Sequence, residues 1–243
     1  HLSIRRQRQM CIRDSYNIYR HSLTGLVISI EAAKQSGIAA GAPLADRVRA
    51  LRSLRIGVNR NDSSVDRQLR HLLRISGVEG EVEILPLGKP ADMLAELEAG
   101  AVDGVAISVP HDRLAVTRGL GEMWIDMAAG SAPSIDPLIH QSLITSPQFA
   151  SQHPETVRAM VGALRRAIDD IQSKPAEEIR DMVQPAFGKL SPAVVLSGIE
   201  AAKPALDRTG AVTLEMAANS VRLDGRNGIT AEQLFSIFTD DFR

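Results

Sequence analysis

The sequence predicts an α/β fold, because short apolar strands alternate with helices along its most clearly patterned segment. Residues 54–58, 82–87 and 102–109 are each short and mostly apolar, as expected for buried strands. A helical pattern separates each of these strands from the next. Strands that alternate this closely with helices are expected to pair in parallel, with right-handed crossovers.

The first helix of this unit has clear start and stop signals. Apolar residues recur with helical spacing over residues 65–75, which gives the helix one apolar face. Ser63 and Asp66, three residues apart, form a capping-box-like pair at its start. Gly77 follows the last turn, where a left-handed residue belongs. His71 lies on the polar side of the pattern and is expected at the surface.

The other elements follow from similar periodicities and breakers. Pro90 opens a helix that Gly100 ends, and Thr230 with Gln233 forms a second capping-box pattern. The predicted strands are 25–31, 122–127 and 138–144, and the predicted helices are 43–52, 90–99, 156–171, 176–184, 192–202 and 230–239.

The first residues of the chain resemble a cloning or sequencing scar. Residues 5–15 match the in-frame translation of a transposase-based sequencing adapter, so we expect residues 1–15 to be non-native. On this expectation the protein's own sequence begins upstream, and a signal peptide would lie outside this chain. The single cysteine, Cys11, would then also be non-native, so no disulfide, cysteine metal site or thiol catalysis is predicted. The alternative is a genuine basic arm that binds nucleic acid or membrane.

Charge and hydropathy exclude two classes of partner for the remainder of the chain. Beyond residue 15 there are 24 basic and 28 acidic residues, a net charge of −4. This balance argues against a nucleic-acid-binding domain. No run approaches the ~20 apolar residues that a membrane-spanning helix needs.

Polar residues follow two of the predicted strands. The loops 59–64 and 108–112 both leave carboxyl ends, so they should meet at one edge of the sheet, where ligands of such folds bind. A hydroxyl-rich turn at a helix start is suited to a small polar or anionic ligand. Ser63 and Asp66 serve equally well as a plain helix cap, and Ser108 as a cap of the next turn. The predicted ligand-binding residues are Arg60, Asn61, Asp62, Ser63, Ser64, Ser108, Pro110 and His111.

The sequence offers no catalytic or cofactor motif. It contains no Gly-x-Ser-x-Gly elbow, no P-loop and no Gly-x-Gly-x-x-Gly turn. The histidines beyond residue 15 form no pair with metal-ligand spacing. We therefore predict no catalytic residue, no metal site and no cofactor.

Four motifs in a fixed order resemble the nitrate-, sulfonate- and taurine-type substrate-binding proteins of ABC importers. They are the segments 56–58, 62–64, 96–104 and 108–111, and the resemblance covers about residues 24–175. It implies a two-lobed fold of the type 2 periplasmic-binding-protein class that closes on a ligand in an interlobe cleft, without making or breaking a bond. Partners would be a small-molecule ligand and the importer's membrane subunits. The protein would be periplasmic or lipid-anchored at the cell surface.

The resemblance also implies how the chain divides. Residues 48–135 would form one lobe, and residues 16–47 plus 136–243 an incomplete second lobe. The family usually has Gly-Ser where this chain has Asp62-Ser63, which places a carboxylate near the expected anion. A ligand that also carries an amine, or neutralisation of the turn by Arg60, would accommodate that charge.

Two other functions are compatible with the same fold. One is a pyrimidine-precursor synthase of thiamine biosynthesis, although the His- and Cys-rich motif of that family has no counterpart here. The other is the ligand-sensing domain of a transcription regulator, which would need a DNA-binding domain upstream of Tyr16.

Overall fold

The structure, a computed structural model, describes residues 13–224, 228–239 and 241–242. The strands are β1 (Arg13–Asn17), β2 (Thr24–Ile28), β3 (Arg55–Val58), β4 (Glu83–Pro86), β5 (Gly104–Ser108), β6 (Glu122–Asp126) and β7 (Ser142–Thr145). The helices are α1 (Ile30–Ser36), α2 (Leu44–Arg49), α3 (Ser64–Ile75), α4 (Pro90–Glu98), α5 (His111–Thr117), α6 (Pro147–Gln152), α7 (Pro154–Ser173), α8 (Ala176–Val183), α9 (Pro192–Ala202), α10 (Leu214–Asp224) and α11 (Ala231–Phe235).

The chain divides into two compact units. Unit 1 contains residues 13–22, residues 135–175 and the described residues from 205 onward; unit 2 contains residues 23–134 and 176–204. This division differs from the predicted one, which separated residues 16–47 from 48–135. The reason is that β2 pairs with both β5 and β6, so it is an interior strand of unit 2. Residues 1–12, including Cys11, lie outside the described residues.

Unit 2 is built on a five-stranded sheet in the order β4-β3-β5-β2-β6. The predicted parallel pairing is confirmed, because β3 runs parallel to both β4 and β5. The strand β2 is antiparallel to both of its neighbours, which the alternation of strands and helices did not indicate. Buried side chains of β2, β5, α4 and α5 form a single core cluster on one face of this sheet.

The helix α3 confirms its predicted caps but not its predicted exposed face. Gly77 has the expected left-handed conformation, with φ of 73°. The prediction that His71 lies at the surface is wrong, since its residue is only 4% exposed. The helix α3 contacts α2 and the short helical turn 79–81 as well as β5, so more of its surface is buried than its apolar stripe alone.

Unit 1 combines a two-stranded sheet with helices. The strands β1 and β7 pair antiparallel, and the fully buried Tyr16 joins α6 and α7 side chains in one cluster. The predicted strand 138–144 is shorter in the structure, because the backbone N–H groups of Leu138 and Ile139 donate to Arg20 O and Ser220 Oγ instead of to a strand. None of the helices in the described ranges is long and apolar enough to cross a membrane.

Candidate binding edge of unit 2

The two predicted ligand loops lie at the same edge of the unit 2 sheet. Gly57 of β3 is opposite Val105 of β5, so both strands end in the same direction, at Val58 and Ser108. Since β5 and β6 are both antiparallel to β2, β6 ends at this edge too. We call this edge of the sheet the carboxyl edge. It contains the ends of β3, β5 and β6, and the start of β2 lies between the ends of β5 and β6.

The turn before α3 is fixed by a reciprocal cap. Ser63 Oγ accepts a hydrogen bond from Asp66 N (3.2 Å), and Asp66 Oδ2 accepts one from Asp62 N (2.8 Å). Asp62 has φ of 60°, a left-handed conformation that a short polar residue tolerates better than most. The predicted capping role of Ser63 and Asp66 is therefore confirmed, and Ser63 is buried.

Two backbone donors at the start of α3 remain available. Asp66 N–H donates to Ser63 Oγ and Arg67 N–H to Ser63 O. Within the part of the chain that the structure describes, the N–H groups of Ser64 and Val65 have no acceptor. The first N–H groups of a helix point along its axis and carry a partial positive charge. Such a pair is suited to binding one oxygen of an anion.

The other predicted residues differ in accessibility. Arg60, Asn61, Asp62, Ser64 and Ser108 are exposed, whereas Pro110 and His111 are partly buried. Burial lowers the pKa of His111. The His111 side chain is therefore neutral at pH 7 and can offer one donor and one acceptor. A ligand contact by any of the eight predicted residues stays a prediction.

The carboxyl edge also carries an ionic cluster that sequence reasoning missed. Arg113 Nη2 donates to Asp126 Oδ2 at the end of β6 (2.6 Å), and the Arg113 side chain is only 14% exposed. Asp112 is fully buried, and its Oδ1 accepts from Arg113 N (2.7 Å). No local pattern indicates this cluster, because it depends on β6 ending beside β2.

One family matches most of the chain. The sequence model of the NMT1-like family matches residues 11–185. The chain belongs to the NMT1-like family. No curated protein matches it in sequence.

Solved structures resemble this NMT1-like protein over most of its length. A protein of Bordetella bronchiseptica RB50 is 21% identical with a TM-score of 0.76, and the match covers 99% of this chain and 75% of that one. The alkanesulfonate-binding protein SsuA of Xanthomonas axonopodis pv. citri, bound to MOPS, is 20% identical (TM-score 0.61; 85% and 64% covered). The periplasmic aliphatic sulphonate-binding protein SsuA of Escherichia coli is 17% identical (TM-score 0.66; 88% and 67% covered). These likenesses confirm the predicted α/β fold of the periplasmic-binding-protein class.

Asp112 is an unusual acid in this NMT1-like protein. Burial raises the pKa of its carboxyl group to about 6, and the neighbouring Arg113 guanidinium offsets only part of that rise. Among the residues that the structure describes, Asp112 Oδ2 accepts no hydrogen bond, and it lies 4.0 Å from Arg113 Nη1. Gly25 of β2 makes room for this carboxyl group, since a Cβ atom there would lie 2.6 Å from Oδ2.

As the pH rises from 4 to 6, Asp112 should therefore lower the free energy of unfolding of the protein. In that window the folded state keeps a proton that the unfolded chain, with a carboxyl pKa of 3.8, has released. Rising pH thus favours the unfolded chain until the folded group has also titrated, and the effect then levels off. We expect the contribution of Asp112 to the free energy of unfolding to fall by up to about 3 kcal/mol over this window.

The Asp112→Asn variant tests this expectation. Its amide can still accept from Arg113 N but does not titrate, so the variant should lose this pH dependence and be more stable than the natural chain at pH 7. Urea unfolding of both proteins at pH 4, 5, 6 and 7 gives the difference directly. If the free energy of unfolding changed with pH in the same way for both proteins, the expectation would be contradicted.

Proposed function

We propose that this protein is the solute-binding component of an ABC importer and captures a small polar or anionic ligand at the carboxyl edge of unit 2. It would work in the periplasm or lipid-anchored at the cell surface, and would deliver its ligand to the importer's membrane subunits without chemical change. Family membership and the likeness to sulfonate-binding proteins support this function. The ligand class would be nitrate, a sulfonate or a taurine-like molecule.

The observation that carries the proposal is the pair of available N–H groups at the start of α3. Arginine side chains offset the carboxylates that lie near these N–H groups. Asp66 is already paired with Arg70, whose Nε lies 2.8 Å from Oδ1. Arg67 donates to the carbonyl oxygen of Asp62 at 2.7 Å, so its guanidinium group lies against the turn. Arg67 thus supplies the positive charge that sequence reasoning sought from Arg60.

Substituting Ser64 by proline tests this function without breaking the helix. Ser64 is the first residue of α3, where proline is well tolerated because that N–H has no partner within the helix. The preceding residue, Ser63, has φ of −71° and ψ of 164°, an extended conformation that a following proline allows. The helices α4, α7 and α9 of this chain already begin with proline.

We expect Ser64→Pro to weaken anion binding about tenfold or more, since it removes one hydrogen bond to a charged group. Ser64→Ala is the matched control, because it removes the hydroxyl group but keeps the N–H. Binding is measured by thermal shift with nitrate, ethanesulfonate and taurine, where ligand at 100 times its Kd stabilises the protein by about 2.7 kcal/mol. The proposal fails if no anion raises the melting temperature of the natural chain. It also fails if Ser64→Pro binds as tightly as Ser64→Ala.

A further inference from the structure

The carboxyl edge is wider than a simple inorganic anion. The strands β3 and β6 are three positions apart in the order β3-β5-β2-β6. Neighbouring strands are about 4.8 Å apart, so the ends of β3 and β6 are separated by roughly 14 Å. The start of α3 follows β3 at one side of this edge, and Asp126 ends β6 at the other. Side chains from both sides shorten the gap, but nitrate could contact only one side.

The side opposite α3 has unused hydrogen-bonding capacity. An arginine side chain has five N–H donors, and that of Arg113 makes one hydrogen bond among the described residues, to Asp126. Its Nη1 lies 4.0 Å from Asp112 Oδ2, which is too long for a hydrogen bond. The Arg113 side chain is 14% exposed, and none of its nitrogen atoms is fully buried without a partner, so its other donors reach solvent and are accessible to a ligand.

The position of Arg113 is fixed, so it can select among ligands. Asp126 Oδ2 holds one side of its guanidinium group, and Asp126 Oδ1 is itself held by Ala129 N at 3.1 Å. Asp112 Oδ1 accepts from the Arg113 backbone at the start of α5. A preorganised guanidinium group recognises carboxylate-like oxygen pairs with good geometry.

We propose that Arg113, positioned by Asp126, binds a second polar group of the ligand, so that the ligand is an elongated organic anion with an acidic or oxygen-rich far end. This inference rests on the proposed function, in which the first anionic group lies at the start of α3. Sulfonate-carboxylates are the chemical class that fits both positions. Arg113 would then set the preference for such molecules over nitrate and simple alkanesulfonates.

A matched pair of probes separates the two contacts. Sulfopropanoate and propanesulfonate share the sulfonate group and the carbon chain, and differ in having a carboxylate or a methyl group at the far end. The natural chain should bind sulfopropanoate about tenfold more tightly than propanesulfonate, by calorimetric titration. Arg113→Gln should remove this preference while leaving propanesulfonate affinity within about twofold. Arg118→Gln is the control, because Arg118 follows the same helix but pairs with Glu98 at the surface.

Each outcome decides one of the two ideas. If the natural chain binds both probes equally, or if Arg113→Gln keeps the preference for sulfopropanoate, the role of Arg113 is refuted while the proposed function stands. If neither probe nor any other anion binds, both are refuted. Should Arg113→Gln not fold, Asp126→Asn provides the second test. It keeps the acceptor for Ala129 N, loosens Arg113, and should reduce the preference without abolishing propanesulfonate binding.

Discussion

We expect the Trp124→Ala variant to lose about 3 to 5 kcal/mol of unfolding free energy, because the substitution removes the largest buried side chain of unit 2. Trp124 lies in β6 and is fully buried. Its Nε1 donates to the carbonyl oxygen of Arg47 (2.8 Å), and the Arg47 guanidinium group donates back to the Trp124 carbonyl oxygen. Truncation to alanine therefore leaves a cavity and an unpaired carbonyl group together. Such a loss would be a large fraction of the stability of a typical domain.

Urea unfolding followed by circular dichroism measures this loss, since Trp124 is the only tryptophan and its fluorescence disappears with it. Trp124→Phe is the control, because it keeps most of the apolar area and removes only the N–H donor. We expect Trp124→Phe to cost about 1 to 3 kcal/mol from the unsatisfied Arg47 carbonyl group. A cost for Trp124→Ala no larger than that for Trp124→Phe would contradict the packing argument.

The unit from β3 to β5 was predictable because each of its signals is local. The apolar spacing over residues 65–75, the cap at Ser63 and the left-handed Gly77 all act within a few residues of one another. Apolar strands between such helices have few alternatives to parallel pairing. The structure accordingly contains these elements with boundaries within about two residues of the predicted ones.

The placement of β2 was not predictable because it is decided by distant residues. Its residues pair with 104–108 on one side and with 122–126 on the other, roughly 80 to 100 residues further along the chain. Alternation along the sequence cannot indicate an antiparallel strand inserted between two others. The same limit applies to His71, which is buried although the apolar spacing of α3 places it on the polar side of that helix.

The candidate site was predictable where backbone chemistry defines it and not where side chains converge. The turn at 60–64 follows from capping preferences, which the sequence shows directly. The ion pair of Arg113 and Asp126 joins the start of α5 to the end of β6, which meet only because β5 and β6 flank β2. Nothing near Arg113 in the sequence indicates that partner.

The second large effect is expected from Gly121→Ala, which we predict to cost about 3 kcal/mol or more of unfolding free energy. A Cβ atom at Gly121 would lie 2.2 Å from the carbonyl oxygen of Ile28 and 2.9 Å from Val27 Cγ1. The carbonyl group belongs to β2, the interior strand that joins β5 to β6, so it cannot move without disturbing both ladders. The backbone of Gly121 is not left-handed, so this penalty is entirely steric.

Gly119→Ala separates steric contact from backbone strain in the same loop. Gly119 has φ of 70° with open space where a Cβ atom would be, so alanine there should cost only the left-handed penalty of about 1 to 2 kcal/mol. Urea unfolding of both variants gives the comparison. A smaller loss for Gly121→Ala than for Gly119→Ala would show that β2 can yield at its end. In that case the contact between the end of β2 and the start of β6, at the edge of the sheet opposite the carboxyl edge, would not be a fixed steric constraint.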